Sequence, residues 1–165
     1  MKILICDWRT SEGAASRGFI DALSHSLKSL NYQTEEVILP FVDDISVVPE
    51  QLMAYRLMSL QHSADGIVVL GAPTHVLVHS NKVAICVSEP ASLTPELGQA
   101  CPNWLANCTR AGFKEARLVY TFTEKRFKQL DALAIKAELL PLPPSSGGKK
   151  YYDNLVCRLF PGPQS

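Results

Sequence analysis

The sequence predicts an α/β domain built on a doubly wound, mainly parallel sheet, and three observations predict it. Apolar runs without polar alternation recur along the chain, such as Lys2 to Asp7 and Ile67 to Leu70, and such runs mark strands buried on both faces. Between them lie segments whose apolar residues repeat every three or four positions, the spacing of a helix with one buried face. The whole chain, 165 residues with 47% apolar and 19% charged positions, suffices for one core and excludes bulk disorder.

Taken in order, Lys2 to Asp7 is the expected central strand. The polar, turn-prone Thr10, Ser11, Glu12 and Gly13 follow as a loop, and Phe19, Ile20, Leu23, Leu27 and Leu30 lay one stripe along a first helix. Asn31 and Tyr32 end that helix, and Glu36 to Leu39 reads as a second strand stopped by Pro40. Pro49 at a first helical position, with Glu50 in the positive first turn, opens a second helix carrying Met53, Leu57 and Leu60 and ending near His62. Asp65 to Gly71 and Lys82 to Val87 hold two further buried strands, and the loop between them is short for a crossover helix. Pro102 starts a third helix through Trp104, Leu105 and Cys108 to Ala111, with Gly112 as its stop signal. Arg117 to Phe122 is a fifth strand, Thr123 caps a helix carrying Phe127 and Leu130, and Ile135 to Leu140 is a sixth strand.

The stretch Pro141 to Lys150 is rich in proline, serine and glycine and reads as a linker. After it, Leu155 to Phe160 is strand-like, and one strand cannot bury its own faces. The chain therefore divides into a domain over 1–144, a linker over 145–150, and a segment over 151–165 that is the first strand of an absent second domain or a tail. Sixteen basic residues balance sixteen acidic ones, so no global field favours nucleic acid or an anionic membrane. The opening MKILICDW is too short for a signal core or a membrane span, which makes the expected location cytoplasmic.

Five cysteines without CxxC spacing are expected as free thiols, with Cys6 and Cys86 acting as small buried apolar groups. Cys101 and Cys108 have a seven-residue spacing that would suit one helix face, but no histidine lies nearby in sequence, so no metal site is expected. His25 on the polar side of the first helix and His62 at the end of the second suit structural roles. His75 and His79 flank a loop between two central strands and are candidates for lining a cleft, though His79 with Asn81 is equally suited to fixing the turn. Neither a nucleophile elbow nor a paired-carboxylate arrangement stands out. Lys125, Arg126, Lys128, Lys149 and Lys150 read as solvated charge.

Several segments carry a family likeness. Met53 to Leu57, Ser63 to Val69 and Ala72-Pro73-Thr74-His75 through His79-Ser80-Asn81-Lys82-Val83 give an apolar strand, a proline soon after it and a His-x-Asn-Lys-Val entry to the next strand. With Gly13-Ala14-Ala15 after the first strand and Val119-Tyr120-Thr121 to Leu140-Pro141-Leu142-Pro143-Pro144, they follow one order over residues 1 to 160. In these features the chain resembles the amino-terminal domain of family-4 glycosyltransferases. The resemblance implies a Rossmann-like domain that is one half of a GT-B architecture, in which the first half mostly holds the acceptor and the second the nucleotide-sugar donor.

On that likeness, Tyr151 to Phe160 would open the donor domain, and the paired glutamates that hold sugar and ribose would lie in its absent remainder. The implied function is transfer of a sugar from a nucleotide sugar to an acceptor hydroxyl, by a truncated or split enzyme inactive alone, with no cofactor held in this chain. Acceptor contacts are expected at Gly13, His79, Ser88 and Glu89, and no residue is assignable as catalytic. Where relatives often carry a histidine-containing stretch, this chain has Ser88, Glu89 and Pro90; Glu89 is suited either to accept a hydroxyl proton or to cap the following turn. The single Gly13 lacks the repeated glycines of a phosphate loop, although amides at a helix start favour anions. The alternative is a non-catalytic module that docks a separate donor-domain chain, or a second copy, through residues 151–165. A third reading, a flavodoxin-like or nucleotide-binding domain, requires a phosphate loop that the sequence does not clearly have.

Overall fold

Strand β1, Lys2–Thr10, organises the molecule. Its unalternating apolar run sends Ile3 and Ile5 into one core cluster and Leu4 and Cys6 into another, all four nearly or fully buried. The computed structural model describes residues 1–10, 13–14, 17–39, 63–70, 83–87, 112–144 and 147–161. Within them β1 is central as expected, flanked on one side by β3 (Gln33–Leu39) and on the other by β4 (Gly66–Val69). The sheet continues through β5 (Val83–Val87), β6 (Leu118–Thr121) and the short β7 (Glu138–Leu139). The order is β3-β1-β4-β5-β6-β7, and every neighbouring pair in it is parallel.

β1 also outruns its parallel partners. Arg9 and Thr10 fold back against β2 (Gly13–Ala14) in an antiparallel pair, so Gly13 lies in a strand ladder rather than in the open loop that its polar neighbours suggest. β3 likewise begins at Gln33, earlier than the apolar residues alone indicate, because the ladder to β1 starts at Lys2.

Helix α1, Arg17–Ser29, buries Phe19, Ile20, Leu23 and Leu27 at helical spacing. Leu30, expected on the same stripe, falls past the helix end and is 40% exposed. There the amides of Asn31 and Tyr32 donate to the carbonyls of Lys28 and Leu27, with Asn31 left-handed at φ 65°. This is a Schellman stop, and asparagine tolerates its left-handed position.

Helix α2, Glu124–Ala132, starts where expected: the Thr123 side chain accepts from the Arg126 amide. It ends in a second Schellman stop, with Ala134 and Ile135 donating to Asp131 and Leu130, and Ala134 at φ 56°. Alanine pays a Cβ penalty there that glycine escapes. Ala134→Gly is therefore expected to raise stability by about 1 kcal/mol, read as a higher urea midpoint at unchanged slope.

Residues 112–115 are helical, and the Ala116 amide donates to the Gly112 carbonyl at 3.0 Å. Gly112 thus lies inside helical structure and does not terminate it. The helices expected from Pro49 and from Pro102 to Ala111, and the loop before Lys82, lie outside the described residues.

The largest correction concerns the carboxyl-terminal segment. Tyr151 to Phe160 does not form a strand; Lys149–Leu159 is helix α3. Tyr152, Leu155, Val156 and Leu159 fall on one helical face and are buried, while Cys157 and Arg158 point to solvent. A strand would have placed Val156 and Arg158 on the same side. The Lys149 and Lys150 of the expected linker form the first turn of α3, and the chain reaches it through Gly147 at φ 72°. α3 packs on α1, where Phe19 meets Tyr152 edge to face with ring centres 5.5 Å apart. Both helices cover the sheet face bearing Ile3, Ile5 and Val68; Leu130 of α2 packs on the opposite face with Leu4, Cys6 and Val119.

Candidate functional site

In an open parallel sheet, ligands bind beyond the carboxyl ends of the strands, at the point where the strand order reverses. Here the chain goes from β1 to β3 on one side and then to β4 on the other, so the crevice opens at the carboxyl ends of β1 and β4. Asp7 sits at that end of β1, paired in register with Ile38 and 0% exposed. Strand alternation puts it on the same sheet face as Ile3 and Ile5, the face covered by α1. An aspartate is almost never fully buried unless its charge is compensated, which marks this position as chemically constrained.

Other polar groups stand elsewhere along the sheet's carboxyl edge. Arg17, the first residue of α1, reaches Glu36 of β3 at 2.9 Å and Asp21 at 3.3 Å, and these bonds raise its pKa further. The start of α1 is thereby tied to the edge strand. At the carboxyl end of β6, Thr121 is fully buried, and its hydroxyl has no hydrogen-bond partner among the described residues. Nearby in sequence, Arg126 is 4% exposed and donates to Gln129 at 2.8 Å. It is no solvated charge, because it shares the inward face of α2 with Leu130. Lys125, Lys128, Lys149 and Lys150 are exposed as expected.

Of the expected acceptor contacts, Gly13 is brought to the crevice edge through its pairing with Thr10. β5 ends at Val87 beside Thr121, so the chain leaves the carboxyl edge toward Ser88 and Glu89. Ser88, Glu89 and His79 themselves lie outside the described residues, as do His62 and His75. His25 is exposed on α1, away from the sheet. It borders a separate open cleft of about 580 Å³ lined by α1, by Pro143, Pro144, Gly147 and Gly148, and by α3. Beside that cleft Lys149 and Ser26 hydrogen-bond Asp153 and hold its carboxyl below the usual range.

The thiols divide by burial. Desolvation pushes Cys6 up to about 12, aided by the negative charges of Asp7 and Glu35, and desolvation alone takes Cys86 to about 12. Cys157 is exposed. Iodoacetamide at neutral pH is expected to label Cys157 and to spare Cys6 and Cys86 until the protein unfolds, as read by peptide mass spectrometry. Both buried thiols bind protons more tightly when folded, so their contribution to stability is intact below pH 9 and declines as pH rises toward 12.

Among the described residues, no helix is long and apolar enough to cross a membrane. Compared with known proteins, the chain matches no protein-family model and no curated protein sequence. Two residues at this edge escape a reading by motif, Asp7 and Arg126. The first was signalled by an acid closing an apolar strand, the second by its four-residue spacing from Leu130.

Proposed function

We propose that the chain is the Rossmann-like, acceptor-side half of a GT-B glycosyltransferase, holding a hydroxyl acceptor at the carboxyl edge of its sheet and requiring a donor-binding half for transfer. The observation that carries the reading is the fully buried Asp7 at the carboxyl end of β1, beside the strand pair that holds Gly13. A charge kept out of water at the switch point of a parallel sheet is where ligand chemistry concentrates in such folds. The likeness to family-4 glycosyltransferases supplies the substrate class. The sheet and the helices that share its core, α3 included, supply one wall of a cleft, and transfer needs two substrates held in near-attack geometry, so half a cleft leaves the positioning contribution unmet.

The test is amide chemical-shift mapping on the purified chain with a panel of mono- and disaccharides, alongside turnover assays with uridine- and guanosine-diphosphate sugars. Shifts at Asp7, Gly13 and Val87 with no transfer are expected. Shifts confined to the α1–α3 face, or none with any acceptor, would overturn acceptor binding, and enzyme-dependent transfer by the chain alone would overturn the need for a second half.

The strand order favours one second reading. Leaving aside the hairpin strand β2, the parallel order has the edge-centre-reversal pattern of flavodoxin-like sheets, whose mononucleotide sits at the same crevice. Titration with flavin mononucleotide and adenine nucleotides separates the two: quenched flavin fluorescence with shifts at Asp7 selects this reading. The docking alternative loses the feature on which it stood, since residues 151–159 offer a helix with its apolar face already covered and no strand edge.

A further inference from the structure

No further inference is drawn: the strongest candidate, the open cleft between helix α1 and the first turn of α3, carries none, because its acidic and basic groups are already paired, Asp21 with Arg17 and Lys149 with Asp153, and nothing in the structure shows what would occupy it.

Discussion

A chain cut after Pro144 is expected to lose its cooperative fold. The cut removes Tyr152, Leu155, Val156, Leu159 and Phe160, all at most 5% exposed and all members of the core cluster that also contains Ile3, Ile20 and Leu23. Each such side chain contributes about 1.5–3 kcal/mol by leaving water, so the group is worth on the order of 10 kcal/mol. That is comparable to the whole stability of an ordinary domain, about 5–15 kcal/mol. The cut also strips the outer cover from Phe19 and Phe122, whose rings lie 5.6 Å apart. Thermal unfolding followed by near- and far-ultraviolet circular dichroism is the check. A truncated chain that melts cooperatively near the temperature of the full chain would show that α3 is an appendage. The single change Leu159→Ala provides a graded version, with an expected cost of about 2–5 kcal/mol, because the residue is fully buried and the site has little room to collapse.

The misreading of this segment shows where sequence pattern is ambiguous. Leu155 to Phe160 is a short, largely apolar run, and periodicity cannot separate a buried strand from a helix over so few positions. The deciding residue is Tyr152, outside the run. Counted from it, the apolar positions are 152, 155, 156, 159 and 160, a helical stripe, with Arg158 and Cys157 between them on the outer face. The preceding glycines and prolines marked a break in chain direction, but a break serves equally for a linker and for a tight return onto the same core. β1, α1, β4, β5 and α2 were legible because each carries an unmixed signal: an apolar run bounded by polar residues, or a stripe with a capping threonine.

The candidate site was legible in part. That ligands belong at the carboxyl ends of parallel strands follows from fold class alone, and Gly13 does come to that edge. The inward turn of Arg126 was hidden by its neighbours, since Lys125 and Lys128 are chemically alike and exposed. Helical geometry separates them: only Arg126 lies four residues before Leu130. Gly13 in a ladder was not legible, because the hairpin depends on β1 running beyond its parallel partners, and no local residue encodes that length.

Gly66→Ala is the second change with a large expected effect, and it joins α3 to the strands that form the crevice. Gly66 opens β4 opposite Ile3. A Cβ there would overlap Phe160 Cε1 and approach Ile3 Cδ1 to 3.1 Å. The ring cannot simply swing aside. It packs against Tyr32 at 6.0 Å between centres, lies under the Arg117 guanidinium at 6.0 Å, and its backbone amide is bonded to Val156. One added methyl group is therefore expected to cost about 1–3 kcal/mol through overpacking. Phe160→Leu makes room at its own cost in buried area, so the double variant should be less destabilised than the two single changes predict. A coupling of about 0.5–3 kcal/mol in a denaturant double-mutant cycle is the expected signature. Additive changes would mean that β4 and α3 adjust independently. Coupling would mean that the position of β4 depends on α3. Since the Leu70 amide at the end of β4 donates to the Cys6 carbonyl beside Asp7, the carboxyl edge would then depend on α3 as well. Amide shifts of Cys6, Asp7 and Leu70 in Gly66→Ala, restored toward native values in the double variant, are the measurement that ties core packing to the crevice.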